Sequence, residues 1–238
     1  MEPEMQAAQQ AVRERLQVIR QNIEKACASA GRDPGAVTLM AVTKTVDPLL
    51  INTAVDEGVT VLGENRVQEF LSKREQYRRN AQVQFIGHLQ TNKVRQIIGK
   101  VTMIQSVDSL HLAEAIDKAA AQHERIMPVL LEVNIGGEAS KSGVPPKELP
   151  QLLEAAGKLS HIAVRGLMTI PPPQPDPAKQ TEIFAQMAAL YRQMQQLAPL
   201  EVLSMGMSGD YEAAVAQGAT LVRIGSALFG PRIYPQVP

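Results

Sequence analysis

The sequence has a single cysteine, no net charge and no long apolar run, and each of these absences excludes something. One cysteine, Cys27, forms no internal disulfide, and its setting in Ala26-Cys27-Ala28 reads as a buried structural thiol. Lys plus Arg number 24 and Asp plus Glu number 24. That balance argues against a large nucleic-acid footprint and against a polybasic membrane anchor. No stretch approaches the ~18–20 consecutive apolar residues of a membrane-spanning helix. Residues 1–10 are acidic and polar and lack the basic and apolar regions of a secretory signal, so the expected location is the cytoplasm. No His/Cys/Asp/Glu group has metal-ligand spacing, so no metal is expected. There is no GxxxxGK[ST] and no GxGxxG, which leaves nucleotide binding without support. The zero net charge and the lack of an evident apolar patch point to a monomer or weak dimer.

What is present is alternation. Val12, Leu16, Val18, Ile19, Ile23 and Ala26 recur at roughly helical spacing and predict a helix over the first thirty residues, stopped by Gly31. Eight short apolar, β-branched runs follow, at residues 37–43, 60–62, 83–86, 102–105, 127–133, 162–168, 202–205 and 220–224. The segments between them, at 48–57, 67–79, 90–98, 110–122, 147–159, 178–197 and 211–217, read as helices. Strands alternating with helices imply a parallel sheet with helical crossovers. Eight strands in 238 residues favour a closed (β/α)₈ TIM barrel with an additional N-terminal helix; an open doubly wound sheet is the alternative. Two loops stand apart: the Gly/Ser-rich 136–143, expected to be mobile, and the proline-rich 171–177, expected to be an exposed connection. Composition does not shift across either, so residues 1–238 are expected to be one domain.

In such barrels the chemistry lies at the C-terminal ends of the strands. The residues there are Lys44, Asn65, His88, Ser106, Asn134, Thr169, Ser208 and Arg223. Ser106 and Thr169 are adequately read as solvated loop entries. Lys44 follows Leu39-Met40-Ala41-Val42-Thr43, a run too apolar to face solvent. Desolvation there disfavours the ammonium and makes the amine a better nucleophile toward carbonyls; the bland alternative is a lysine that snorkels out of the barrel mouth. At the other end of the chain, Ser208-Gly209 and Gly225-Ser226 follow the seventh and eighth runs, the usual phosphate cradle of this fold. Ser208 is also placed to cap the helix beginning near Tyr211. A reactive amine with a phosphate cradle fits pyridoxal 5′-phosphate (PLP) somewhat better than the sugar phosphate of a Schiff-base aldolase, which stays open.

Seven segments together carry a resemblance: Ala41-Val42-Thr43-Lys44-Thr45, Gly63 to Glu69, Ile86 to Lys93, Ser140-Lys141-Ser142-Gly143, Gly166 to Thr169, Ser204 to Asp210 and Arg223 to Gly230. In order and over most of the chain, they resemble the pyridoxal phosphate homeostasis proteins. That resemblance implies a fold-type III PLP protein similar to the barrel domain of alanine racemase. Lys44 would carry PLP as a Schiff base, the internal aldimine. Ser208, Gly209, Gly225 and Ser226 would hold the phosphate, and Arg223 would face the pyridine nitrogen. Asn65, His88 and Met168 would line the ring pocket. Lys141 would be a secondary PLP acceptor. The chain departs from some relatives in having Val46 where they have a lysine, which removes one further acceptor. It also has Gly209 where many have another residue, which leaves a site built on backbone N–H groups intact.

Function then divides three ways. Arg223 only donates, so facing the ring nitrogen it would weaken the electron sink on which PLP catalysis depends; its plain structural reading is an ion pair at the strand end. Eight residues remain after Gly230, and none of Tyr77, Tyr191, Tyr211 and Tyr234 is placed as the opposing acid of a two-base racemase. The expectation is a PLP carrier without robust catalysis, which stores the cofactor and delivers it to apo PLP-dependent enzymes. The alternatives are a low-activity amino-acid racemase and, more distantly, the aldolase.

Overall fold

The computed structural model describes residues 2–137 and 142–231. Eight parallel strands form a closed barrel in chain order, with β1 hydrogen-bonded to both β2 and β8, so the open-sheet alternative does not apply. The strands are β1 (Thr38–Val42), β2 (Val61–Glu64), β3 (Gln82–Phe85), β4 (Met103–Val107), β5 (Met127–Glu132), β6 (Ile162–Met168), β7 (Val202–Met207) and β8 (Leu221–Ile224). The helices are α1 (Glu2–Ser29), α2 (Pro48–Asp56), α3 (Val67–Lys73), α4 (Val94–Ile97), α5 (Leu110–Gln122), α6 (Leu149–Ala156), α7 (Pro177–Met194), α8 (Tyr211–Ala216) and α9 (Ser226–Phe229). The expected helix at 67–79 breaks after Lys73 into a 3₁₀ turn, and that expected at 90–98 begins as one.

The extra helix α1 exists because Val12, Leu16, Ile19, Ile23 and Cys27 bury one stripe at i, i+3 and i+4 spacing against α2, α8 and α9. Cys27 is fully buried there, as its apolar neighbours predict.

Strand alternation sorts the core into two layers. Ala41, Leu62, Phe85, Leu203 and Val222 face the helices in one large cluster, while Met40, Val42, Val61, Ile86 and Leu221 form a separate cluster inside the barrel. Gly63 belongs to the interior set. A Cβ there would lie 2.5 Å from Met40 Sδ, so only glycine lets the methionine fill the space. The buried residues of the strands also include polar ones, Gln84, Gln105, Ser204 and Arg223. Two expected solvated loop entries, Ser106 and Thr169, are instead buried: β4 continues two residues further than its apolar run suggests, and Thr169 donates from Oγ1 to the Val133 carbonyl at 2.8 Å.

Candidate functional site

Lys44 lies one turn beyond the end of β1, half-buried, in a turn that Val46 N–H closes onto the Thr43 carbonyl at 3.1 Å. Thr43 anchors the turn to β2. Its N–H donates to the Gly63 carbonyl at 3.0 Å, and its hydroxyl reaches the same carbonyl at 3.1 Å and Glu64 Oε1 at 2.7 Å. Glu64 itself is fully buried between barrel and helices and also accepts from the Tyr77 hydroxyl. Burial pushes its carboxyl up, against the pull of those two hydroxyl donors and of Lys73. The residue after Lys44 carries the opposite sign of φ from its neighbours: Thr45 sits at φ +61°. A β-branched side chain in that region is strained and persists only where its surroundings hold it.

The rim on the other side of β1 is built by the loops after β7 and β8. Ser208 Oγ accepts from Gly225 N at 3.1 Å and from Ala227 N at 3.2 Å, which knots the two loops together. Ser208 therefore does not cap α8 as its position suggested. Asp210 is the N-cap residue there, and its carboxylate turns back to accept from Met207 N at 2.6 Å. The Met207–Asp210 turn rests on Gly206 at φ +91°, where a Cβ would lie 2.5 Å from Ala214 Cβ. At Gly209 a Cβ would meet nothing within 4 Å, so the loop presents bare backbone.

Arg223 forms the floor. It is 97% buried, with Nη1 donating to Ser204 Oγ at 2.6 Å and Nη2 to the Thr169 carbonyl at 2.8 Å. The Ser204 hydroxyl donates in turn to Gln105 Oε1 at 2.7 Å, and Gln105 Nε2 donates to Gln84 Oε1 at 2.6 Å. The chain of donors runs from β8 through β7 and β4 to β3. The ion pair that sequence alone would assign to Arg223 does not form among the described residues; neutral partners orient the guanidinium instead. Burial lowers its pKa to about 10, opposed by the more distant charges of Glu132 and Asp210. Glu132, at the end of β5, is pushed up to about 7 by burial and by Asp108, with Arg223 pulling the other way.

The structure brings Lys44, Ser208, Gly209, Gly225, Ser226 and Arg223 to one end of one barrel. Met168 ends β6 fully buried. Asn65 directly follows β2, with its Oδ1 buried and unpartnered among the described residues. His88 lies at the rim after β3 with its side chain 62% exposed and Nδ1 3.8 Å from Asp108 Oδ2. Lys141 falls outside the described residues. Sequence reasoning missed Glu64, Glu132, Ser204, Gln105 and, on α3, Glu69 and Lys73. The available signal was polar residues at strand positions flanked by apolar ones.

This donor set fits PLP: a lysine at the rim, backbone N–H groups and a hydroxyl where two loops meet, an unpartnered carboxamide oxygen, and a buried cation free of carboxylate contact among the described residues. The sequence matches the family described as alanine racemase, N-terminal domain, over residues 15–233. Fold and site together define an alanine-racemase-type barrel. A pyridoxal phosphate homeostasis protein of Aquifex aeolicus is 44% identical over 224 residues, 93% of this chain and 98% of its own length. Another, of Pseudomonas aeruginosa, is 40% identical over 224 residues, covering 94% and 96%. PipY of Synechococcus elongatus, solved with PLP bound, superposes with a TM-score of 0.81 at 35% identity, covering 92% of this chain and all of that one. An alanine racemase of Clostridium difficile shares the fold alone, at 18% identity and a TM-score of 0.72, and this chain spans 58% of it. The chain thus belongs to the alanine racemase N-terminal-domain family and, within it, to the pyridoxal phosphate homeostasis proteins.

Proposed function

We propose that the chain, as one domain over residues 1–238, binds PLP covalently on Lys44 and serves PLP homeostasis in the cytoplasm. It stores the cofactor and delivers it to apo PLP-dependent enzymes, as a monomer or weak dimer. The observation that carries this is the Ser208 knot: Gly225 and Ala227 N–H groups already gather around an oxygen, on the rim that also bears Lys44. When bound, PLP supplies an aldehyde that condenses with an amine, with loss of water, and a ring that draws electrons from what is attached to it. Lys44 provides the amine. Ser208, Gly209, Gly225 and Ser226 hold the phosphate, with Asn65, His88 and Met168 along the ring. Lys141 takes the cofactor transiently on release. Arg223 can only donate, so toward the ring nitrogen it leaves that atom unprotonated. A ring held this way is a weak electron sink, which suits storage better than turnover.

One observation favours a second reading, a low-activity amino-acid racemase: Glu132 is a buried carboxyl poised near neutrality beside Asp108 and within the field of Arg223. One experiment separates the two. PLP-loaded protein is mixed with an apo-enzyme acceptor, and in parallel with a panel of D- and L-amino acids. Recovery of acceptor activity without amino-acid turnover supports the carrier. Steady turnover that Lys44→Ala abolishes, with no transfer to the acceptor, establishes the racemase.

A further inference from the structure

Lys44 is held from beneath by a pair of charges on the neighbouring crossover helix. Lys73 and Glu69 lie one turn apart on α3, and both side chains are largely buried, Lys73 at 12% exposure. Lys73 Nζ donates to the Thr43 carbonyl at 3.0 Å, to the Val46 carbonyl at 3.3 Å and to Glu69 Oε1 at 2.6 Å. All three ammonium donors are therefore spent, two of them on the first and last residues of the four-residue turn that contains Lys44. Glu69 Oε1 also accepts from Thr45 N, the residue between them. Burial works against the Glu69 charge, yet Lys73 and the Thr45 N–H hold its carboxyl below the usual carboxylate range.

The three contacts reach every residue of the turn except Lys44. The Glu69 contact falls on Thr45, whose φ of +61° is unfavourable for a β-branched residue, and the two Lys73 contacts flank it on Thr43 and Val46. Strain of this kind persists where the surroundings over-determine it, and it clusters where a side chain must be aimed. A surface i,i+4 pair would bond its own partner and water; this one bonds the backbone of another strand's loop.

We propose that Lys73 and Glu69 are positioning residues for Lys44: they clamp its turn and thereby set how firmly PLP is retained. This rests on the reading that Lys44 carries PLP. The hydrogen bonds described for both residues are to the backbone of the turn and to each other. Each acts by fixing the backbone that aims the Lys44 side chain, so loosening the clamp speeds cofactor loss without removing any group that binds it.

The test loads wild type, Lys73→Met, Glu69→Gln and Lys73→Arg with PLP, after a thermal melt establishes that each is folded. Two quantities are read: the pH midpoint of the visible absorption band and the rate of PLP transfer to an apo-enzyme acceptor. Lys73→Met is expected to displace the midpoint and to release PLP at least roughly tenfold faster, because it removes both charge-assisted hydrogen bonds from Lys73 to the turn. Glu69→Gln is expected to change both in the same direction by less, and Lys73→Arg, which keeps the donors, to restore both toward wild type. Wild-type midpoint and rate in folded Lys73→Met and Glu69→Gln overturn the clamp. If Lys73→Met does not fold, Glu69→Gln decides on the same two readouts. A wild type whose visible band is absent, or survives Lys44→Ala, overturns instead the reading on which the clamp rests.

Discussion

Arg223 Nη1 and Ser204 Oγ are 2.6 Å apart inside the barrel, and the hydroxyl that accepts there donates onward to Gln105 at 2.7 Å. The guanidinium is thus aimed by a hydroxyl and not by a counter-charge. Removing that hydroxyl strands one donor of a buried cation and one acceptor of Gln105, the costly half of hydrogen-bond energetics. Ser204→Ala is expected to lower unfolding stability by about 2 kcal/mol, read as a fall in the urea midpoint at unchanged slope. An unchanged midpoint would show that the network does not hold Arg223.

Glu132 makes stability depend on pH. Its folded pKa, raised to about 7 by burial first, exceeds that of an unfolded glutamate. The protonated form is therefore favoured by folding. Its contribution is fully present below the unfolded value near ~4.3 and is lost as pH rises through about 7. The difference between those limits is on the order of 3 kcal/mol. Urea unfolding at pH 5 and pH 8.5 should show wild type weaker at the higher pH, with Glu132→Gln flattening that fall. Parallel losses in both proteins would contradict the assignment.

Two glycines three residues apart should respond oppositely to a methyl group. Gly206→Ala places a Cβ against Ala214 at a φ of +91° and is expected to cost roughly 2–4 kcal/mol. Gly209→Ala meets nothing within 4 Å, and its effect on stability is expected to be within about 0.5 kcal/mol of zero. Thermal melts of the two variants check both.

Ser208→Ala removes the oxygen that joins Gly225 N and Ala227 N across the two loops. PLP retention is expected to fall roughly tenfold, measured by equilibrium titration of the visible band. Retention equal to wild type would place the phosphate elsewhere.

How much of this the sequence disclosed follows from what each residue's neighbours reveal. The barrel was legible because its strands read as short, mostly apolar and β-branched runs separated by amphipathic helices. Lys44 was legible as a charge ending such a run, and the phosphate rim as Gly-Ser pairs after the last two. The floor was not. Gln84, Gln105 and Ser204 alternate with apolar residues as solvent-facing positions do in a sheet with one wet face, and only closure of the barrel turns that face inward. Ser204 and Gln105 are 99 residues apart in sequence, so no local pattern couples them. Glu69 and Lys73 read as a commonplace helix-surface pair; their engagement of the β1 turn depends on how α3 packs against it. Ser208 reads as a cap of the nearer helix because capping is a local rule, whereas its donors come from the following strand's loop.

The proposed function stands on Lys44 carrying PLP at this rim. The most direct test is the visible spectrum of the protein with PLP beside that of Lys44→Ala. A yellow absorption band is expected in the wild type and lost on the substitution, with borohydride fixing the cofactor to the peptide containing Lys44. A colourless wild type that takes up no added PLP would contradict it, and borohydride trapping of a sugar phosphate on Lys44 would then point to an aldolase.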